Sequence, residues 1–137
     1  MKKLKLMLLF VTFTTAMVSC KKENVSKSTI PDDTGSNPLS GRWVGKFGFG
    51  DETPDAYYSF KLKSDGTLDE MNSSNEKIGE GTWTLTGTIF KATHHYTSGS
   101  TFKDEATYDA ATKTFSNGTW GYTTNSTDGG KWFMKKQ

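Results

Sequence analysis

The 137-residue sequence predicts an all-β protein, an antiparallel meander of about eight strands closed into a small barrel. Three observations carry that expectation. Apolar and polar residues alternate in short runs recurring about every ten residues, with turn signals between, and no sustained helical period follows Gly41. The connections are short, so sequential strands pair, and a meander of this length hides its edges best by closing on itself. Finally, each of the four tryptophans has a glycine two residues before it: Gly41-Arg42-Trp43, Gly81-Thr82-Trp83, Gly118-Thr119-Trp120 and Gly130-Lys131-Trp132. On a strand that spacing puts both residues on one face, where a small barrel must alternate large and small side chains to fit its taper.

Taken in order, the strands fall near 41–49, 56–63, 66–72, 78–86, 88–97, 101–109, 113–122 and 130–136. The second is the clearest, with Tyr58, Phe60 and Leu62 on one face and Tyr57, Ser59, Lys61 and Lys63 on the other; Asp65-Gly66 then closes a hairpin. The third does not alternate cleanly through Leu68-Asp69-Glu70-Met71. In the fifth, Phe90, Ala92, His94 and Tyr96 oppose Ile89, Lys91, Thr93 and His95. In the sixth, Phe102, Asp104, Ala106 and Tyr108 oppose Thr101, Lys103, Glu105 and Thr107. An aromatic face against a lysine and threonine face marks antiparallel strands covered on one side. In the seventh, Phe115 and Trp120 are five residues apart and cannot share a face along a regular strand. Either a bulge at Asn117-Gly118 restores the parity, or that dipeptide is a tight hairpin turn. The bulge is preferred because the hairpin leaves very short strands on both sides.

The chain begins with a basic head, Met1-Lys2-Lys3-Leu4-Lys5, and an apolar run from Leu6 to Val18 that is too short to span a bilayer as a helix. This is the pattern of a secretory signal peptide, residues 1–19. Met17-Val18-Ser19-Cys20 resembles the lipobox of bacterial lipoproteins, with methionine where leucine is usual. The resemblance implies a Cys20 acylated on sulfur and amine, which anchors stably because two or more chains hold where one does not, and a cell-envelope location, with the outer membrane as the expected site. Residues 20–40, "CKKENVSKSTIPDDTGSNPLS", read as a lipid-anchored flexible tether, leaving 41–137 as one folded domain. The sole cysteine excludes a disulfide within the chain. With Lys2, Lys3 and Lys5 removed, fourteen basic residues face fifteen acidic ones, so nothing indicates a nucleic-acid partner.

"GRWVGKFGFG", with Gly41, Trp43 and Gly45, is similar to the Gly-x-Trp opening of the calycins, the lipocalins and related small barrels. With the repeated "GTW" and the final "GGKWFMKKQ", the domain resembles small lipocalin-like bacterial lipoproteins. The resemblance implies that Trp43 plugs one end of the barrel. Other lipocalin signature elements are missing. The nitrobindin branch holds haem through a histidine near the chain end, where this sequence has none.

Of the two histidines, His94 shares the inward face with Phe90 and Tyr96 and lies within reach of Asp104 on the next strand, which would raise its pKa. Adjacent His94 and His95 point to opposite faces and cannot converge on one metal, so neither a metal nor a cofactor is expected. Glu70 and Asp104 are candidates for an inward carboxylate pair, but no serine motif, phosphate loop or metal cluster accompanies them. The expectation is a protein that is not an enzyme and binds a small, partly apolar ligand, with Trp43, Phe60, Phe90, His94, Phe102, Asp104 and Tyr108 lining or plugging the interior. The alternative is a filled barrel that binds a protein or glycan outside, with Tyr57, Tyr122 and Phe133 outward or at the mouth. Interior volume separates the two.

Overall fold

The computed structural model describes residues 37–123 and 125–137. The segments expected to be a signal peptide (1–19), a lipidation site (Cys20) and, as far as residue 36, a tether lie outside the described residues. Among those described, the regular elements are eight strands: β1 (Gly41–Phe49), β2 (Ala56–Leu62), β3 (Thr67–Met71), β4 (Lys77–Thr86), β5 (Ile89–Tyr96), β6 (Thr101–Asp109), β7 (Thr114–Tyr122) and β8 (Gly130–Lys136). Each pairs antiparallel with the next, and β8 returns to β1, with Trp43 opposite Lys136 and Phe49 opposite Gly130. Closure leaves none of these strands with a free edge, as the short connections anticipate.

Inside and outside follow the alternation. Phe60, Leu62, Phe90, Ala92, Ala106, Phe115, Trp132 and Met134 are buried, while Lys61, Lys91, Thr93, Lys131 and Lys135 of the same wall face water. A membrane-spanning barrel presents the reverse, an apolar band outside.

Asn117-Gly118 is a bulge inside β7. The register against β8 shifts between Phe115 and Gly118, and Asn117 takes a left-handed φ of 51°. The extra residue turns both Phe115 and Trp120 inward, 1% and 5% exposed. The shift also sets two Gly-x-Trp motifs head to tail across one ladder: Gly118 faces Trp132, and Trp120 faces Gly130. The Trp132 ring lies over Gly118, where a β-carbon would come within 2.6 Å of it, and the Trp120 ring covers Gly129 in the same way. Each indole thereby shields glycine backbone across the ladder, Gly118 within β7 and Gly129 just before β8.

A second glycine pair, on β4, makes room of another kind. Gly79 lies between Glu70 of β3 and Tyr96 of β5, and Gly81 lies between Leu68 and His94. A β-carbon at Gly81 would fall 2.0 Å from the Thr93 carbonyl oxygen and 2.7 Å from the His94 β-carbon. The missing side chains leave the interior space that the neighbouring carboxylate and imidazole occupy.

One half of the barrel is solid. Trp43, fully buried, packs at 4.2 Å between ring centroids on Phe115, which packs at 4.4 Å on Phe90. Trp132 and Tyr108 close around them. The Trp43 indole Nε1–H donates to the Leu39 carbonyl at 2.7 Å, so the chain enters the barrel beside its plug.

Candidate functional site

The opposite end is open. The final residues of β1, β5 and β7 and the first residues of β2 and β6 meet there around a cavity of about 150 Å³. Its wall is formed by Phe47, Phe49, Tyr58, Tyr96, Phe102, Trp120 and Tyr122, with His94 beneath. The rings brace one another edge to face: Phe47 and Phe49 both meet Trp120, at centroid distances of 5.9 and 5.4 Å. Phe49 and Tyr122 form an exposed rim, 55% and 48% accessible.

Under this cavity lies a buried ionisable cluster assembled from four strands. His94, 2% exposed, stands between two carboxylates: Nδ1 is 2.9 Å from Glu70 Oε2 and Nε2 is 2.9 Å from Asp104 Oδ2. His94 and Asp104 are diagonal neighbours across the β5–β6 ladder, where Asp104 pairs with Ala92 and His94 with Phe102. Glu70 reaches His94 across the glycine face of β4. Tyr58, from β2, donates its hydroxyl to Asp104 Oδ1 at 3.0 Å and lies 3.1 Å from His94 Nε2. Tyr96 donates to Glu70 Oε1 at 3.2 Å, spanning the gap over Gly79. Glu70 Oε2, His94 Nδ1 and Asp104 Oδ2 make no well-aligned hydrogen bond, so the two histidine contacts are close ion pairs held off the ideal axis. With one carboxylate on each ring nitrogen, the three groups do not converge on a common point for a metal ion; among the described residues no such group of ligands is present.

Burial is the largest single influence on His94 and pulls its pKa down, but the Asp104 and Glu70 carboxylates together outweigh it and hold the imidazole at about 9. Burial pushes the Asp104 carboxyl up, against the stabilising His94 and Tyr58 contacts. Burial followed by the negative charge of Asp104 and Glu70 raises the Tyr58 hydroxyl well above the phenol range. Tyr96 moves the same way, through burial and then Glu70. In each case the folded protein holds its proton more firmly than the unfolded chain. For His94, raised from 6.5, the contribution to stability is complete below about pH 6.5 and disappears as pH passes through about 9. Each tenfold gain in proton affinity is worth roughly 1.4 kcal/mol, so the expected loss of stability between those limits is about 3 kcal/mol. Urea unfolding of the protein against His94→Gln from pH 6 to 10 measures it; parallel profiles for the two proteins would refute the assignment to His94.

The sequence placed Asp104 beside His94, and the structure joins them. It brings His94 and Phe102 to the cavity and leaves Trp43, Phe60, Phe90 and Tyr108 in the solid half, where they plug rather than line. Glu70, weighed as an inward carboxylate, belongs to the cluster. Tyr122, expected outward or at the mouth, stands at the cavity rim, whereas Phe47, Phe49, Tyr58, Tyr96 and Trp120 were not foreseen as a cavity wall; their shared position near strand ends on one side of the meander was the available signal. His95 faces outward, as do Tyr57 and Phe133, 38% and 45% exposed.

Comparison with protein-family models, curated proteins and solved structures finds no match to this chain.

Proposed function

We propose that this chain is an envelope lipoprotein of lipocalin-like type, anchored through Cys20, whose barrel binds a small and partly apolar ligand without chemical change. The carrying observation is the aromatic cavity of about 150 Å³ at the open end, set over a buried polar cluster. That is the size of apolar cavity that accepts a single ring such as benzene. It falls below the roughly 300–1,000 Å³ of pockets for drug-sized molecules. The ligand is therefore ring-sized, or the terminal group of a longer molecule entering from the mouth. The cluster supports the same reading, since a buried ion pair is weak support for stability compared with packed apolar residues.

The exposed Phe49 and Tyr122 favour a second reading, a filled barrel that meets a protein or glycan at this rim. Titration of toluene, phenol and indole-sized probes against tryptophan emission separates them. Saturable quenching by the ring-sized probes, with little response to fatty acids, haem or sterols, is the expected outcome. No saturable response to any ring-sized probe would reject the binding reading in favour of the rim. The anchor is tested apart: Cys20→Ala should move the protein out of the membrane fraction, and unchanged retention would refute lipidation there.

A further inference from the structure

The polar groups around the cavity are unevenly matched in a way that selects the charge of a ligand. The side-chain donors of the wall and floor are already directed elsewhere. Tyr58 O–H is given to Asp104 and Tyr96 O–H to Glu70. The Trp120 Nε1–H is given to the Gly48 carbonyl at 2.9 Å. Both His94 nitrogens face carboxylates at 2.9 Å. The exception is the Tyr122 hydroxyl, which belongs to the exposed rim. Among the described residues, no lysine or arginine lines the cavity. An anion or a hydrogen-bond acceptor entering this space would find no side-chain donor below the rim that is not already given to a protein oxygen or held within 2.9 Å of a carboxylate, and stripping it of water would be poorly compensated.

The two carboxylates behind His94 and the aromatic wall favour positive charge, while the His94 imidazole, the cluster member that itself lines the cavity, keeps its proton up to about pH 9 and offsets part of that preference. Two carboxylates, Glu70 and Asp104, share one imidazole, so with the three groups ionised the cluster carries one negative charge in excess. Both carboxylates are almost fully buried, 3% and 2% exposed, and each keeps one oxygen without an aligned donor. Tyr96, which lines the cavity and gives its hydrogen to Glu70, keeps an accepting lone pair on its oxygen. The rings of Phe47, Tyr58, Phe102 and Trp120 line the space, and aromatic surroundings of this kind are those in which quaternary ammonium groups are bound.

We propose that the cavity takes a small organic cation, an alkylated ammonium or a protonated amine of about single-ring size, whose charge is balanced by the Glu70–His94–Asp104 cluster and whose methyl or methylene groups pack on the aromatic wall. The proposal rests on the binding reading above and specifies its ligand class.

The test uses three probes of similar shape and different charge on the purified full-length chain: tetramethylammonium, tert-butanol and pivalate, followed by calorimetry and tryptophan emission, with toluene as an apolar control. Tetramethylammonium should bind at least tenfold more tightly than tert-butanol, and pivalate should not bind measurably. Equal affinity for the cation and the alcohol, or preference for pivalate, overturns the inference. Binding of toluene alone also overturns it while leaving the ring-sized cavity standing, and failure of all four removes the binding reading as well. In Glu70→Gln the tetramethylammonium preference should shrink several-fold with toluene affinity unchanged; a preference identical to the parent's would count against the cluster as the source of the charge. Because the probe series on the unaltered chain decides the matter, a variant that fails to fold does not leave it open.

Discussion

Asp104→Ala is expected to lower the unfolding free energy by about 3–5 kcal/mol, the usual cost of removing one partner from a buried charge pair. Asp104 is 2% exposed, its Oδ2 lies 2.9 Å from His94 Nε2 and its Oδ1 accepts the Tyr58 hydroxyl at 3.0 Å. Alanine leaves the imidazole with Glu70 alone and a cavity where the carboxylate stood. Part of the loss is recovered if His94 gives up its proton, since Tyr58 O–H lies 3.1 Å from Nε2 and can donate there instead. The variant should therefore show a His94 pKa moved down from about 9, visible in the imidazole proton resonances. Asp104→Asn keeps the shape and an acceptor for Tyr58, and should lose less stability while showing the same downward movement. Urea unfolding of Asp104→Ala that loses less than about 1 kcal/mol would contradict the coupling described above. Conversely, replacing Glu70, His94 and Asp104 together with apolar residues of similar volume should be close to neutral for stability, which would mark the cluster as kept for what it binds.

Trp43→Ala is the second large effect, about 3–5 kcal/mol from lost burial and an unfilled cavity. The indole is fully buried and packs on Phe115 and on Tyr108, at centroid distances of 4.2 and 5.9 Å. Its truncation also deprives the Leu39 carbonyl of the Nε1–H at 2.7 Å, an added cost when that oxygen stays buried. Trp43→Phe retains much of the packing and should cost markedly less. Thermal unfolding checks both, and a Trp43→Ala protein as stable as its parent would show that the closed end does not support the fold. The plug and the cavity occupy opposite ends, so any Trp43→Phe protein that folds should bind ring-sized probes as the parent does. Trp120→Ala, by contrast, should weaken them.

Much of the architecture is legible in the chain because a strand writes its two environments into alternate residues. The structural strands β2, β5 and β6 reproduce the aromatic face and the lysine and threonine face, with bounds differing from expectation by at most a residue. The bulge was legible for the same reason, since Phe115 and Trp120 could not otherwise both be buried. The His94–Asp104 contact follows from hairpin register across β5 and β6, which short loops restrict tightly.

Glu70 shows where this reasoning stops. Leu68, Asp69 and Glu70 are all buried because Leu68 and Glu70 face inward over Gly81 and Gly79 while Asp69, on the outer face, is covered by Lys63 and Lys77 at 2.9 and 3.1 Å. Those ion pairs come from β4 and from the turn before β3, so alternation within β3 alone could not reveal them. The cavity is a similar case. Alternation shows that Phe60, Phe90, Phe102 and Trp120 point inward, but their height along the barrel axis depends on the stagger accumulated around eight paired strands.

What the amino-acid sequence determined alone is therefore the class of fold, the strand order, the inward set and one acid–histidine pair, all consequences of local periodicity and short connections. Only the tertiary structure decided which inward rings fill the barrel and which enclose a cavity. It also decided that Gly79 and Gly81 make room for Glu70 and His94, and that two carboxylates share one imidazole. Those outcomes depend on closure, which brings β2, β3, β5 and β6 side chains together across an interior that no single segment encodes.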